Sequence, residues 1–387
     1  MTDRRSISSF GFDINDRRIR DVPSTRASRT ALWLCDKLVR LRKSATEDNR
    51  VHSMATIPAT ELTKWTPVAL HLDAPTPSIE WGDFGSLRFA EPFFDDTVAR
   101  WAAAHPPPRV VHTGLDALAV LDQAPSLDPD GFVFHLSRCG STLLTRLLQQ
   151  LPGCVVVSEP AMINQVLRAD AAIIDDETRV RLLRLLIRAF GRVRFGDERH
   201  YVVKLSSWNV RKLDVFRGAF PKTPLLWLQR KPAEVIASLL AREPEWRQEL
   251  RVPEFAAALF GMTGDEAAAA EPAVLYASAL ANLLKAARAA PPAALRTIDY
   301  ADLPQAAWTT VAPYFRLAPD DGDIALMAAQ ARFYSKDADP TPFERRQVAA
   351  DAVAETIRRL AAVELDSLYD ALSGQAASTP NLHRSGV

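Results

Sequence analysis

The chain is predicted to be an α/β protein: a central parallel sheet with helices on both faces, preceded by a small α+β lead-in. Three observations predict this. Strand-like and helix-like runs alternate from Gly131 to Leu240, the pattern of successive βα units. The residues with chemistry to offer stand at the ends of those strands, where open α/β sheets hold their ligands. At 387 residues, 48% apolar and 24% charged, the chain has the composition of a globular protein able to bury a large core.

Taken in order, residues 1–53 form an Arg-rich extension with Arg17, Arg18, Arg20, Arg26 and Arg29. Asp13, Asp16 and Asp21 speak against a transit peptide, and Met54 is an alternative start. Poor order is expected there, apart from a helix near Ala31–Leu41. Residues 54–130 make up the lead-in. Thr66 to Leu72 and Ser78 to Trp81 alternate as strands do. Pro92 to Ala102 starts a helix with acidic residues in its first turn, and His105 to Arg109 is an extended Pro-rich segment. No chemistry is legible in this part, and its aromatic residues read as core.

The main domain is placed at residues 131–374. It opens on Gly131-Phe-Val-Phe-His-Leu-Ser-Arg-Cys-Gly-Ser-Thr-Leu-Leu-Thr145. Val133, Phe134 and Leu136 read as a buried strand, Ser137 to Thr142 as a tight polar turn, and Leu143, Leu144, Leu147, Leu148 and Leu151 recur at helical spacing. Such a turn aims backbone N–H groups and a helix N-terminus at one spot, which makes an anion site. Arg138 adds a fixed charge, and Ser141 and Thr142 add hydroxyls. The loop is not the G-x-x-x-x-G-K-[ST] of nucleoside-triphosphate binders, because Cys139 and Gly140 stand before Ser141 and no lysine precedes the hydroxyl residue.

Pro224 to Leu239 repeats the plan. Arg230 ends a strand, Pro232 opens a helix where its missing N–H costs nothing, and Ser238 follows within that helix. Each residue alone also fits a plain role, an arginine capping a strand or a serine on a helix face. Together, Arg-Cys-Gly-Ser-Thr and Arg-Lys-Pro-Ala-Glu-Val-Ile-Ala-Ser resemble the two phosphate motifs of sulfotransferases: the 5′-phosphosulfate loop R-S-G-S/T-T and the 3′-phosphate motif R-D-P-R-x-V-x-x-S. The chain departs from the second at Lys231 and Ala233. The resemblance extends loosely from Gly131 to the mid-340s. It is closest to the tyrosylprotein and carbohydrate branches, since no tryptophan follows the loop to stack on adenine and Leu143–Leu144 stand there.

The resemblance implies a fold like that of the P-loop nucleotide binders and a donor, 3′-phosphoadenosine 5′-phosphosulfate (PAPS). It assigns Arg138, Cys139, Gly140, Ser141 and Thr142 to the 5′-phosphosulfate, and Arg230 and Ser238 to the 3′-phosphate. Within His200–Ser206 a strand ends at Lys204, ahead of a helix over Trp208–Phe220; by resemblance Lys204 faces the transferred group, while a solvent-facing strand terminus is the plain alternative. Glu159 ends the short β-branched strand read in Gly153–Pro160, which stops at Pro160, and stands 21 positions after Arg138. At that spacing the tyrosylprotein enzymes carry their general base; the alternative is a loop-orienting partner of Arg138. Leu295 to Leu303 and Ala312 to Leu317 resemble a structural strand and helix of the family, and Ser335 and Lys336 stand where several members close a loop over the donor, a plain exposed loop being the alternative. No metal is expected, because the cations supply the charge.

Thr178 to Arg194 is predicted as a helix with Arg181, Arg184, Arg188 and Arg192 on one face, either a solvated face or a docking stripe for an acidic acceptor. Gly264 to Arg288 and Arg345 to Leu372 are predicted as helical cover for the sheet, and residues 375–387 as a flexible tail. Lys+Arg and Asp+Glu balance at 47 each, so nothing suggests nucleic acid as a partner. Three cysteines, Cys35, Cys139 and Cys154, lack metal-ligand spacing and fit a reducing cytoplasm. Cys139 is either a low-pKa thiol at a helix N-terminus or the family's small loop residue in another form. No apolar run is long enough to span a membrane. The function implied is sulfuryl transfer to a hydroxyl or amine. The alternatives are a P-loop small-molecule kinase and a non-catalytic nucleotide-binding protein.

Overall fold

Five parallel strands form the centre of the protein: β4 (Gly131–His135), β5 (Cys154–Ser158), β6 (His200–Lys204), β7 (Leu225–Gln229) and β8 (Arg296–Asp299). Their order across the sheet is β5-β6-β4-β7-β8. The computed structural model describes residues 59–377, except residue 73, residues 105–108, residue 245 and residues 250–255, 258–261, 292–293 and 334–354. The helix expected near Ala31–Leu41, most of the Pro-rich segment, Ser335 and Lys336 lie outside the described residues. All described residues belong to one compact unit, 52–387.

This strand order decides which face each connecting helix covers. The chain leaves β4 for β5 in one direction across the sheet, then returns through β6 and crosses to β7 and β8 in the other. Right-handed crossovers therefore send the helix after β4 to one face and those after β5, β6 and β7 to the opposite face. The contacts agree. The helix Ser141–Leu148 packs with Asp321–Gln330, whereas Pro232–Ala241 packs with Pro272–Ala289 on the other side. The helices expected on both faces of a parallel sheet are present.

Ahead of the sheet lie β1 (Thr66–His71), β2 (Ser78–Gly82) and β3 (Val110–Gly114), paired antiparallel in that order, and helix α1 (Phe94–Ala102). The main helices are α2 (Ser141–Leu148), α3 (Ala161–Arg168), α4 (Asp176–Phe190), α5 (Leu213–Ala219), α6 (Pro232–Ala241), α7 (Pro272–Ala289), α8 (Asp321–Gln330) and α9 (Asp366–Ala377). Strand β3 was not expected from its sequence; two valines after a Pro-rich run give too short a period to read.

Every residue of β4 and β7 is buried, because helices cover both faces. Phe132 and Phe134 meet the Phe216 ring edge-on at 5.3 and 5.2 Å. Burying each such side chain is worth about 1.5–3 kcal/mol, so the middle of the sheet is a rigid platform. The α9 helix is tied to it: Gln229 Nε2 donates to the Tyr369 carbonyl (3.2 Å) and the Ser373 hydroxyl (2.9 Å).

Two helical expectations are corrected. The helix expected over Thr178–Arg194 ends at Phe190, with Gly191 as its C-cap, a position where an added Cβ would lie 2.6 Å from both the Tyr201 ring and the Leu127 carbonyl. Arg192 therefore leaves the helix and is buried, donating to the carbonyls of Leu62, Thr63 and Ala189. Arg188 binds Asp128 at 2.7 Å, so only Arg181 and Arg184 of the four arginines stand exposed, and the stripe reads as structure. The run Gly264–Arg288 is broken at Glu271, where Pro272 starts α7.

Candidate active site

Strands β4 and β7 are neighbours in the sheet, and their chains leave in opposite directions. The loops after them stand at the strands' C-terminal ends, the place where α/β sheets bind ligands. The two motifs singled out in the sequence are these two loops. They touch: Arg230 Nη1 donates to the Arg138 carbonyl at 3.4 Å.

The first loop turns on two left-handed residues, Arg138 (φ 56°) and Gly140 (φ 85°). A Cβ at Gly140 would lie 2.6 Å from the Tyr300 ring, so only glycine fits there. Gly140 is the N-cap of α2, and the first N–H groups of that helix have no partner within it. Ser141 and Thr142 are buried at this end. The Cys139 side chain faces the other way, into the core. Its Sγ donates to the Leu228 carbonyl at 3.2 Å, and burial pushes the thiol up to about 12. Cys139 is thus the small loop residue and not a low-pKa thiol; only its backbone is on offer to a ligand. The Arg138 guanidinium donates to the Arg242 carbonyl at 3.1 Å, bridging the first loop to the end of α6.

Opposite the loop stand Lys204 and Glu159. Register explains their meeting: Ser158, the residue before Glu159, pairs with Lys204 across β5 and β6, and Val133 of β4 flanks Lys204 on the other side. Lys204 is fully buried, which excludes the solvent-facing alternative. Its Nζ lies 2.5 Å from Glu159 Oε1 and donates to Thr142 Oγ1 at 3.3 Å. The Phe93 ring covers Nζ at 4.4 Å from the ring centre. Glu159 keeps a left-handed backbone (φ 50°), an unfavourable conformation for a non-glycine residue, with its N–H bound to the Lys204 carbonyl at 2.8 Å. Burial pushes the Glu159 carboxyl up, but the Lys204 ammonium and the His135 ring outweigh it and hold it well below the usual carboxylate range. The partner of Glu159 is Lys204, not Arg138.

Three residues at this site were not read from the sequence. His135, the last residue of β4, is buried with Nε2 3.5 Å from Glu159 Oε1 and Nδ1 3.4 Å from the Leu136 carbonyl. The signal was a polar residue closing an apolar strand. Phe93 comes from the lead-in, and only the fold brings it over Lys204. Tyr300, after β8, lies against Gly140 and under the Arg230 guanidinium, 4.5 Å from ring centre to Cζ.

In the second loop Arg230 is mostly buried, and its Nε donates to Glu234 Oε2 at 2.8 Å. Ser238 lies half-buried, two turns into α6. The structure thus brings Arg138, Gly140, Ser141, Thr142, Glu159, Lys204 and Arg230 to one end of the sheet. Among the described residues, no group of three or more His, Cys, Asp or Glu side chains is arranged to hold a metal ion, and no helix is long and apolar enough to cross a membrane.

No family model matches the chain, and neither does any curated protein. The solved structures it resembles are sulfotransferases. One, from Alicyclobacillus acidocaldarius, is 15% identical, covers 66% of this chain and 98% of its own, and superposes with a TM-score of 0.35. The sulfotransferase domain from the curacin biosynthetic pathway is 14% identical over 66% of this chain and 99% of its own, with a TM-score of 0.38. Mouse sulfotransferase SULT7A1, complexed with PAP, is 12% identical over 68% of this chain and 89% of its own, at 0.31.

Proposed function

We propose that the protein transfers a sulfuryl group from PAPS to a hydroxyl or amine acceptor. The observation that carries this reading is the meeting of the two phosphate motifs at neighbouring strand ends, with Arg230 bonded to the Arg138 carbonyl and the buried Lys204, paired with Glu159, beside them. Backbone N–H groups at Gly140–Thr142, with the Ser141 and Thr142 hydroxyls, hold the 5′-phosphosulfate. Arg230 and Ser238 hold the 3′-phosphate.

Chemistry follows the logic of phosphoryl transfer, with in-line attack and little covalent work for the protein. The acceptor O–H or N–H bond breaks as its electron pair forms the bond to sulfur. The bond from sulfur to the phosphate oxygen breaks, and its pair leaves on that oxygen. Lys204 and Arg138 stabilise the leaving oxygen. Glu159 takes the acceptor proton. A carboxylate tied to an ammonium is a weak base, so the donor has a second task. Its anionic phosphosulfate draws Lys204 toward itself, and Glu159 gains basicity as the ammonium moves off. These cations make a metal unnecessary in this scheme. The free, buried Cys139 fits a reducing cytoplasm. We propose no nucleic-acid partner.

The test is ligand-induced stabilisation. Adenosine 3′,5′-bisphosphate at a hundredfold excess over its Kd stabilises the protein by about 2.7 kcal/mol, whereas AMP at the same concentration gives a much smaller shift. Equal shifts with both nucleotides sink the reading. A preference for ATP with magnesium points instead to a kinase.

A further inference from the structure

Arg230 is held from three sides. Its Nε donates to Glu234 Oε2 at 2.8 Å, one Nη1–H goes to the Arg138 carbonyl at 3.4 Å, and the guanidinium lies over the Tyr300 ring at 4.5 Å. A guanidinium has five N–H donors. Two are used, which leaves three, both of those on Nη2 among them. Glu234 takes the Nε side and leaves the terminal nitrogens to a ligand. The arginine side chain is 12% exposed and the carboxylate 32%. A guanidinium this buried needs a counter-charge when no anion is bound, and Glu234 supplies it.

We propose that Glu234 is a positioning residue that aims Arg230 at a 3′-phosphate and so sets the preference for nucleotides that carry one. This rests on the sulfotransferase reading above. Glu234 also stands third in α6, after Pro232 and Ala233, where the helix dipole favours an acid. A role confined to the helix would change stability alone. A role in aiming Arg230 changes the ratio of affinities for two nucleotides that differ only at the 3′ position.

The experiment is calorimetric titration of the full chain with adenosine 3′,5′-bisphosphate and with AMP, in wild type, Glu234→Ala and Glu234→Gln, with the melting temperature of each variant recorded. Glutamine keeps an oxygen to accept from Nε; alanine keeps nothing. The expected result for Glu234→Ala is an affinity for the bisphosphate lower by about tenfold, the loss of one charge-assisted contact's worth of aim, with AMP changed less than twofold. Glu234→Gln recovers most of the loss. An unchanged bisphosphate-to-AMP ratio in Glu234→Ala overturns the inference and leaves the parent reading intact. So does a glutamine variant as weak as the alanine one. A wild-type protein that binds both nucleotides equally overturns the parent reading, and this inference with it.

Discussion

Lys204 Nζ lies 2.5 Å from Glu159 Oε1, and this pair joins the ends of two neighbouring strands. The lysine is fully buried, while the carboxylate side chain keeps 25% of its surface exposed. Removing one partner of such a pair leaves the other without compensation, which is the costly case for buried charge. The pair therefore contributes to the fold as well as to the proposed chemistry, and the two contributions separate by pH.

Glu159 is held below its ordinary value of 4.5, so its contribution to stability is fully present above that pH and is lost as pH falls toward the folded-state value. Once protonated, the glutamic acid carries no more charge than a glutamine. At pH 7, Glu159→Gln is expected to be less stable than wild type by about 1–3 kcal/mol, after allowance for the exposed part of the carboxylate. The difference shrinks as pH drops below about 4.5. Chemical unfolding of both proteins from pH 3 to 7 measures it, and a gap that stays constant with pH removes the charge from the explanation.

In the proposed transfer, a general base at Glu159 is worth roughly 10²- to 10⁴-fold in rate. Consumption of PAPS in the presence of phenol, alcohol and amine acceptors is expected to slow by that factor in Glu159→Gln. Adenosine 3′,5′-bisphosphate is expected to bind at least as tightly as to wild type, since Lys204 no longer has a competing carboxylate. Loss of nucleotide binding instead would assign Glu159 to orienting the loop.

The thiols give an independent check on the first loop. Burial pushes both Cys139 and Cys154 up to about 12, and for Cys154 the nearby Asp130 adds to the effect. Neither is a thiolate at pH 8. Iodoacetamide applied to the folded protein at that pH, followed by peptide mass analysis, is expected to leave both unmodified, whereas unfolded protein reacts at both. Rapid labelling of Cys139 in the folded state contradicts the inward-facing geometry.

Strands β4 to β7 and their order along the chain were legible because each is a short, largely apolar run closed by a polar residue or a proline, whereas β8, Arg-Thr-Ile-Asp, was expected only from a resemblance. Arg138, Glu159, Lys204 and Arg230 were legible for the same reason, as polar residues at strand ends. What the sequence hid was pairing. Nothing in the chain says that Lys204 turns to Glu159; that comes from the register of β5 on β6. Nor does it reveal that Phe93, more than a hundred positions before Lys204, covers its ammonium, or that Tyr300 lies between Gly140 and Arg230. The helical period of α4 runs on through Arg192 in the sequence, and it does not show that the helix is capped at Gly191, where the chain packs close against the Tyr201 ring.

Gly140 and Gly196 make a matched pair for testing that last kind of contact. Their backbones are nearly the same, at φ 85° and φ 84°. At Gly196 an added Cβ meets open space, so alanine there costs only the left-handed conformation, about 1–2 kcal/mol. At Gly140 the added Cβ lies 2.6 Å from the Tyr300 ring and 3.3 Å from Leu303, so the ring has to move as well. Tyr300 is also the surface on which the Arg230 guanidinium rests. Gly140→Ala is thus expected to cost more stability than Gly196→Ala and, unlike it, to weaken binding of adenosine 3′,5′-bisphosphate by tenfold or more, on the order of 1.4 kcal/mol. Denaturant unfolding and nucleotide titration of both variants decide the matter. If Gly140→Ala loses no more affinity than Gly196→Ala, the contact between Tyr300 and the loop plays no part in holding the nucleotide.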